Sequence, residues 1–424
     1  MFGIFASPTR KMRENAAHWL ELAEKVYCYR RDLLTAAQLG ELQSQTAALQ
    51  RLLKDKAEPM KLKLAIESLE DVLRRTGGTH YPKSSLVENV EFFLVAAIVI
   101  LGFRTYFIQP FKIPTNSMWP TYNGMTPEVF RAKADEPGYV HQGARLLAFG
   151  ARPRRVDAQS DGEVLIPLIG NNDRAIIPYR NVPGRSWFVF PTTHKEYTLL
   201  VGKEPVTVRV PADFDFEWAI RDAFFPEARD NHEPAGVDLA HLLGKQAKVL
   251  RDGTGRVRFL TTGKQVKAGD RVLAFDILTG DQLFVDRMSY HFVRPTVGQG
   301  FVFRTGNIPG IGQDQYYIKR LVGVPGDELE IKDYTLYRNG RPITGADAFT
   351  QNGKRTGNYV GYRNEHALTE GHVMKVPPES YLALGDNSAN SQDGRYWGYV
   401  PARDAIGRPL FIYYPFTRHW GPAR

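Results

Sequence analysis

The segment Phe92–Phe103, FFLVAAIVILGF, runs for twelve residues without a charge or a strongly polar group. Such a stretch must be hidden from water, and that constrains the chain more than any other feature. Alone it would cover about 18 Å as a helix, short of the roughly 30 Å of a bilayer core. Extended to Leu86–Ile108 it takes in Glu88, Glu91 and Arg104, all near the ends, where long side chains reach the headgroups. Tyr106 and Phe107 suit an interfacial aromatic belt. On these residues a membrane span and a buried core helix stand about equal. The segment lies too far along the chain for a cleavable signal peptide.

The remainder is not that of a polytopic membrane protein: 43% of 424 residues are hydrophobic and the mean hydropathy is −0.35. Fifty aromatic residues exclude a disordered chain and are enough for a large core. The single cysteine, Cys28, excludes an intrachain disulfide framework and any multi-cysteine metal site. No GxxxxGK[ST] loop or HExxH helix is present, and the ten histidines are scattered, so no cofactor or metal is expected. The net charge of +9 is spread along the chain and suits an anionic membrane surface as well as nucleic acid.

Residues 1–85 read as helices. Trp19, Ala23, Val26 and Leu34 mark one, Leu42, Leu49, Leu52 and Leu53 a second that Pro59 ends. Leu62, Ile66, Leu69 and Leu73 mark a third, stopped by Gly77–Gly78. After residue 108 short alternating runs take over. Val206–Pro211, Lys248–Leu260 with a turn at Asp252–Gly253, Arg271–Phe275, Gln282–Phe292, Phe301–Arg304, Tyr316–Val324, Glu328–Tyr337, Tyr381–Leu384 and Ile406–Tyr414 read as strands. Phe216–Phe224 reads as a helix, and Asn339–Gly340 as a hairpin turn.

Three segments carry chemistry. Pro110–Thr121, PFKIPTNSMWPT, holds Ser117 between two prolines, a rigid setting for an exposed hydroxyl. Tyr316–Asp327, YYIKRLVGVPGD, sets Lys319 and Arg320 side by side on a strand, so they face opposite ways and one must share a face with large apolar residues. A lysine so placed loses hydration, its pKa falls, and its neutral amine can serve as a general base. An arginine stays protonated. Leu384–Pro401, LGDNSANSQDGRYWGYVP, is dense in groups able to hydrogen-bond an amine or brace a loop. Each segment alone also reads as ordinary structure: a stiff turn, an edge strand, a polar loop.

Together and in this order they resemble the membrane-bound type I signal peptidases (leader peptidases), Ser–Lys serine proteases. The pattern PFxIPSxSMxPT is met by Pro110, Phe111, Ile113, Pro114, Ser117, Met118, Pro120 and Thr121. A KR pair before hhGhPGD is met by Lys319, Arg320, Gly323, Pro325, Gly326 and Asp327. GDNxxxSxDSR is met by Gly385, Asp386, Asn387, Ser391, Asp393 and Arg395. Gly280–Tyr290 is similar to the family's GDxhhVxKxxY strand. The resemblance implies a mainly β catalytic domain of antiparallel strands, formed from residues 109–122 and 280–424. Residues 86–108 would be one transmembrane helix and 1–85 a cytoplasmic helical region. Residues 123–279 would be an inserted, mostly β domain outside the resemblance, removable with a short linker without disturbing the catalytic pair.

By the same resemblance Ser117 is the nucleophile and Lys319 the general base, with no cofactor. Ser391 orients the lysine, and Thr115 stands where a family serine donates to the oxyanion. Phe111, Ile113, Met118, Tyr122, Tyr317 and Ile318 fall at substrate-binding positions, and Asp386, Asn387, Asp393 and Arg395 at structural ones. The substrates would be signal peptides of preproteins, cut after small residues in an A-x-A-like pattern. The partners would be the lipid bilayer and the secretion translocon, with no nucleic acid. The location would be the bacterial inner membrane, single-pass, with the N terminus cytoplasmic and the catalytic side periplasmic. Flanking charges are nearly balanced, so that orientation rests on the resemblance. Thr115 and Gly394 depart from the family pattern. They keep open a non-catalytic membrane-anchored scaffold of the same fold. A self-cleaving Ser–Lys repressor fits less well, since the apolar segment directly precedes the serine box.

Overall fold

The computed structural model describes residues 8–170, 175–186, 190–226, 249–251 and 258–423. Two compact units, Met1–Leu101 and Gly102–Arg424, make up the chain. The first contains helices α1 (Pro8–Arg30), α2 (Ala36–Lys54), α3 (Pro59–Thr76) and most of α4 (Ser85–Tyr106). Leu42, Leu49, Leu62, Ile66, Leu69 and Leu73 are buried in one core with Ala23 and Val26, the stripe their spacing predicts. Thr35 and Gln38 form a capping box at the start of α2. Pro59 does not end α2, which stops at Lys54; it opens α3, where a missing N–H costs nothing.

Helix α4 has 22 residues, about 33 Å at 1.5 Å each. Its apolar window has a mean hydropathy of 2.1 and none of it is buried. A core helix would bury one face. An exposed helix that is apolar all round matches a bilayer in length and surface.

The second unit is mainly β. Its central antiparallel sheet runs Ile108–Lys112, Gln282–Asp286, Ala405–Tyr414, Gly300–Arg304, Tyr316–Gly323, Ser380–Leu384, Val400–Pro401. Ile108 opposes Asp286 and Lys112 opposes Gln282, so chain from either side of residues 123–279 joins one sheet. One apolar cluster of this sheet holds Ile113, Met118, Tyr122, Leu283, Val285, Val302 and Ile412. Another holds Phe301, Phe303, Leu321, Tyr381 and Ala383. Glu328–Tyr337 is two strands rather than one, Glu328–Lys332 and Thr335–Arg338, because Asp333 and Tyr334 take positive φ and turn the chain. Asn339 and Gly340 also take positive φ and close the next hairpin.

Residues 123–279 leave and rejoin this sheet at one point. The Asp281 N–H donates to the Asn123 carbonyl at 2.8 Å, and the Asn123 N–H donates to Asp281 Oδ2 at 2.7 Å. Between these bonds lie a three-stranded and a six-stranded sheet over a core of their own, including Val164, Ile166, Leu199, Val208 and Phe275. Phe216–Phe224 is helical as its pattern predicts; the turn at Asp252–Gly253 lies outside the described residues. Tyr139–Phe149, an unpredicted helix, exposes Tyr139, Val140 and Leu147, so it lacks the buried stripe that reveals a helix in sequence.

Gly280 sits where the two junctions meet. A Cβ there would collide with the Ile113 carbonyl. Gly280→Ala is expected to lower stability by about 2 kcal/mol or more, as strained backbone does. Gly143→Ala, on the exposed helix Tyr139–Phe149 with nothing within 4 Å, should raise it by about 0.5–1 kcal/mol. Denaturant unfolding of the two variants checks both signs.

Candidate active site

The strand Tyr316–Gly323 decides the site. Its register with Gly300–Arg304 sets Lys319 opposite Phe301, Tyr317 opposite Phe303, and Arg320 opposite Gly300. Directly opposed residues share a face. Lys319 therefore lies among Phe301, Phe303 and Leu321, all fully buried. Burial pushes its ammonium down to about 8; Asp393 pulls upward, Arg395 pushes further down, and Asp386 pulls upward. Its Nζ is hydrogen-bonded to Ser117 Oγ.

Arg320 is as deeply buried but fully paired. It donates to Asp386 at 2.8 Å through Nε and 2.6 Å through Nη2, and to the Gly298 carbonyl at 2.7 Å. Burial disfavours its charge, but the Asp386 carboxylate outweighs this and holds the guanidinium pKa well above its ordinary value. Thr121 Oγ1 also donates to Asp386, at 2.6 Å. One buried carboxylate thus joins all three motif segments.

Further bonds brace the loop of Ser117. Asn387 donates from its side chain to the Asn116 carbonyl at 3.0 Å and from its N–H to the Ser117 carbonyl at 3.1 Å. The buried Asn116 side chain donates to the Met125 carbonyl at 2.8 Å and accepts from the Gly124 N–H at 2.9 Å. Asp393 accepts from the Gly385 N–H at 2.9 Å and from Arg395 Nε at 2.9 Å. Arg395 Nη2 in turn donates to the Ser388 and Ser391 carbonyls, at 2.6 and 3.2 Å, fixing the loop that carries Ser391. Gly394 has no room for a serine as placed: a Cβ would lie 2.6 Å from Leu382 Cδ1 and 3.0 Å from the Ala383 carbonyl.

A cleft of about 1120 Å³ opens over Ser117 and Lys319. Phe111, Ile113, Thr115, Tyr317, Ile318 and Ser391 line it. Met118 and Tyr122 do not; both are fully buried in the apolar cluster beneath the loop. Ser391 is buried in place, but its Oγ has no hydrogen-bond partner among the described residues, so the expected bond to Lys319 is not formed. A Cβ at Gly385 would strike that hydroxyl and the Ser117 carbonyl, so glycine is what lets the two loops close together. The spacing of motifs did not reveal Trp119, whose ring meets Trp218 edge-on at 5.7 Å. Among the described residues no cluster of histidine, cysteine or carboxylates could hold a metal.

The arrangement offers a hydroxyl beside an amine that sheds its proton near neutral pH, on one wall of a cleft. An amine so placed can take the hydroxyl proton as the oxygen attacks a carbonyl.

A family model described as "Signal peptidase, peptidase S26" matches residues 273–414. The probable signal peptidase I-1 of Synechocystis sp. is 32% identical over 34% of this chain and 66% of its own length. Signal peptidase I of Leptolyngbya laminosa is 32% identical, with 62% of its length spanned, so the chain spans under two thirds of either relative. Signal peptidase I S of Bacillus subtilis is 31% identical over 33% of this chain and 77% of its own. A crystal structure of a signal peptidase I from Enterococcus faecalis V583 has 29% identity and a TM-score of 0.20, covering 27% of this chain and 97% of that one.

The two adjacent cations should respond oppositely to substitution. Asp386→Ala strands a buried guanidinium and should cost about 3–5 kcal/mol. Lys319→Met should stabilise at pH 7 by about 1–3 kcal/mol, since a buried charged amine is replaced by an apolar chain of similar length. The lysine pKa is lower folded than unfolded, so this gain should be full below about pH 8 and fade as pH rises toward the unfolded value. Unfolding curves across that range test it.

Proposed function

Because the chain belongs to the signal peptidase I family of peptidase S26, we propose that it is a membrane-bound serine endopeptidase that removes N-terminal signal peptides from exported preproteins. The observation that carries this is the buried Lys319, which among the described residues has no carboxylate hydrogen-bonded to it and is bonded to Ser117 on one wall of a cleft. Lys319 in its neutral form takes the Ser117 proton as the oxygen attacks the scissile carbonyl. It then returns the proton to the leaving amine and activates the water that releases the acyl-enzyme. The Ser117 N–H and the Thr115 hydroxyl donate to the developing oxyanion; Thr115 is exposed and lines the cleft beside Ser117. Such a donor is worth about 3–4 kcal/mol.

Phe111, Ile113, Tyr317 and Ile318 form an apolar wall that excludes large side chains and favours alanine-sized residues before the cut. Helix α4 crosses the inner membrane once, with α1–α3 cytoplasmic and Ser117 on the periplasmic side. The bilayer and preproteins leaving the translocon are its partners. A scaffold that merely keeps the fold would not need a lysine buried at the expense of stability.

Detergent-solubilised protein should cleave a preprotein, and Ser117→Ala, Lys319→Ala and Lys319→Arg should each abolish cleavage. Arginine cannot shed its proton, so Lys319→Arg should stay dead at every pH. For the unmodified chain kcat/KM should rise with pH through about 8, as the neutral amine grows. Activity retained in any of the three variants removes the Ser–Lys assignment.

A further inference from the structure

The cleft over Ser117 and Lys319 has a second wall, and none of it comes from the motif segments. Ile176, Tyr179, Lys195, Asp213, Asp215 and Glu217 line it, all from the insert. Ile176 and Tyr179 are 48% and 47% exposed, so about half of each side chain is open to solvent.

This wall is held to the catalytic body at several places. Tyr179 packs on Tyr197 with ring centroids 5.5 Å apart, and Tyr197 stacks on Phe216 at 4.3 Å. Phe216 begins the helix Phe216–Phe224, whose Trp218 meets Trp119, two residues after Ser117. Asp215 caps that helix by accepting from the Trp218 N–H at 3.3 Å, and it also accepts from the side chain of Asn390, the residue before Ser391. One short helix of the insert therefore touches both loops that shape the site. Lys112 and Asp213 line the same cleft from the two sides.

We propose that the insert is a working part of the active site, supplying a second wall, centred on Ile176 and Tyr179, that binds the extended preprotein segment and helps set its selection. The proposal rests on the peptidase reading above. It also changes what the adjacent junctions at Asn123 and Asp281 suggest: the insert can be cut out of the chain on paper, but not without opening the cleft. A volume of about 1120 Å³ exceeds the roughly 300–1,000 Å³ of small-ligand sites and suits several residues of extended chain. Such a segment, gripped from two sides, aligns its scissile carbonyl better than one lying on an open sheet.

The test is peptide binding by the full chain in detergent, in a Ser117→Ala background so that no turnover occurs. The probe is a fluorescent synthetic peptide spanning a signal-peptide cleavage site, read by anisotropy. Ile176→Ala/Tyr179→Ala should weaken binding about fivefold or more. Leu250→Ala, exposed in the insert but outside the cleft, should leave it unchanged. If the double variant is not folded by thermal unfolding, Tyr179→Ser is measured in its place. Binding within about twofold of the parent, or an equal loss in Leu250→Ala, overturns the wall. In the cleavage-competent chain the wall variants should raise KM more than they lower kcat. A chain that binds the peptide through this wall yet cleaves no preprotein would sink the peptidase reading and leave the wall standing; no binding by the parent overturns the wall itself.

Discussion

Two basic residues sit next to each other on a buried strand, and the site follows from how each charge is resolved. Strand period two sends Lys319 and Arg320 to opposite faces. Neither face is wet. Arg320 cannot become neutral, so it must have a carboxylate, and Asp386 fills that role with two short bonds. Gly300 opposite it leaves space; a Cβ there would crowd Pro409 and the Tyr122 hydroxyl. Lys319 can become neutral, and with no carboxylate bonded to it, burial drives it that way. Exchanging the two residues would serve neither face: lysine cannot reproduce the bidentate grip on Asp386, and arginine would remain charged beside Ser117.

Asp386 also explains why segments far apart in sequence make one site. It takes bonds from Thr121 and Arg320, and its own neighbour Asn387 holds the Ser117 carbonyl. The Ser117 loop, the Lys319 strand and the third loop are thereby referenced to one carboxylate in a low-dielectric interior, where such bonds are strong and costly to lose. The Asp393–Arg395 pair does the same for the loop bearing Ser391. Gly385 lets the loops approach.

Much of this was legible in the sequence because it depends on local rules. The helical stripes of α1–α3, the alternation at Lys319 and Arg320, and the Asn339–Gly340 turn are properties of short windows. So is the length of α4, although only its exposure separates a span from a core helix. What could not be read is long-range. Met118 and Tyr122 follow Ser117 closely, yet the turn of that loop drives both into the apolar cluster. The partners of Asp386 lie 66 and 265 residues away. Trp119 and Trp218 meet across an insertion whose own sequence carries no motif. The backbone turn at Asp333 and Tyr334 was hidden because, although aspartate favours positive φ, tyrosine does not and no glycine marks the turn.

The close spacing of α4 and Ser117 adds a bound on where the site can lie. Helix α4 ends at Tyr106, and the first strand of the sheet starts at Ile108. Ser117 is eleven residues beyond the helix end, so even a fully extended chain places it within about 40 Å of that point. In the folded unit five of those residues form the strand Ile108–Lys112, which is held to Gln282–Asp286 by its register. Eleven residues therefore bound how far Ser117 can stand from the end of α4. On the proposed function, so short a connection to α4 supplies effective concentration and the cleft supplies orientation. That division of labour fits a site whose buried lysine, charged below about pH 8, costs the fold stability.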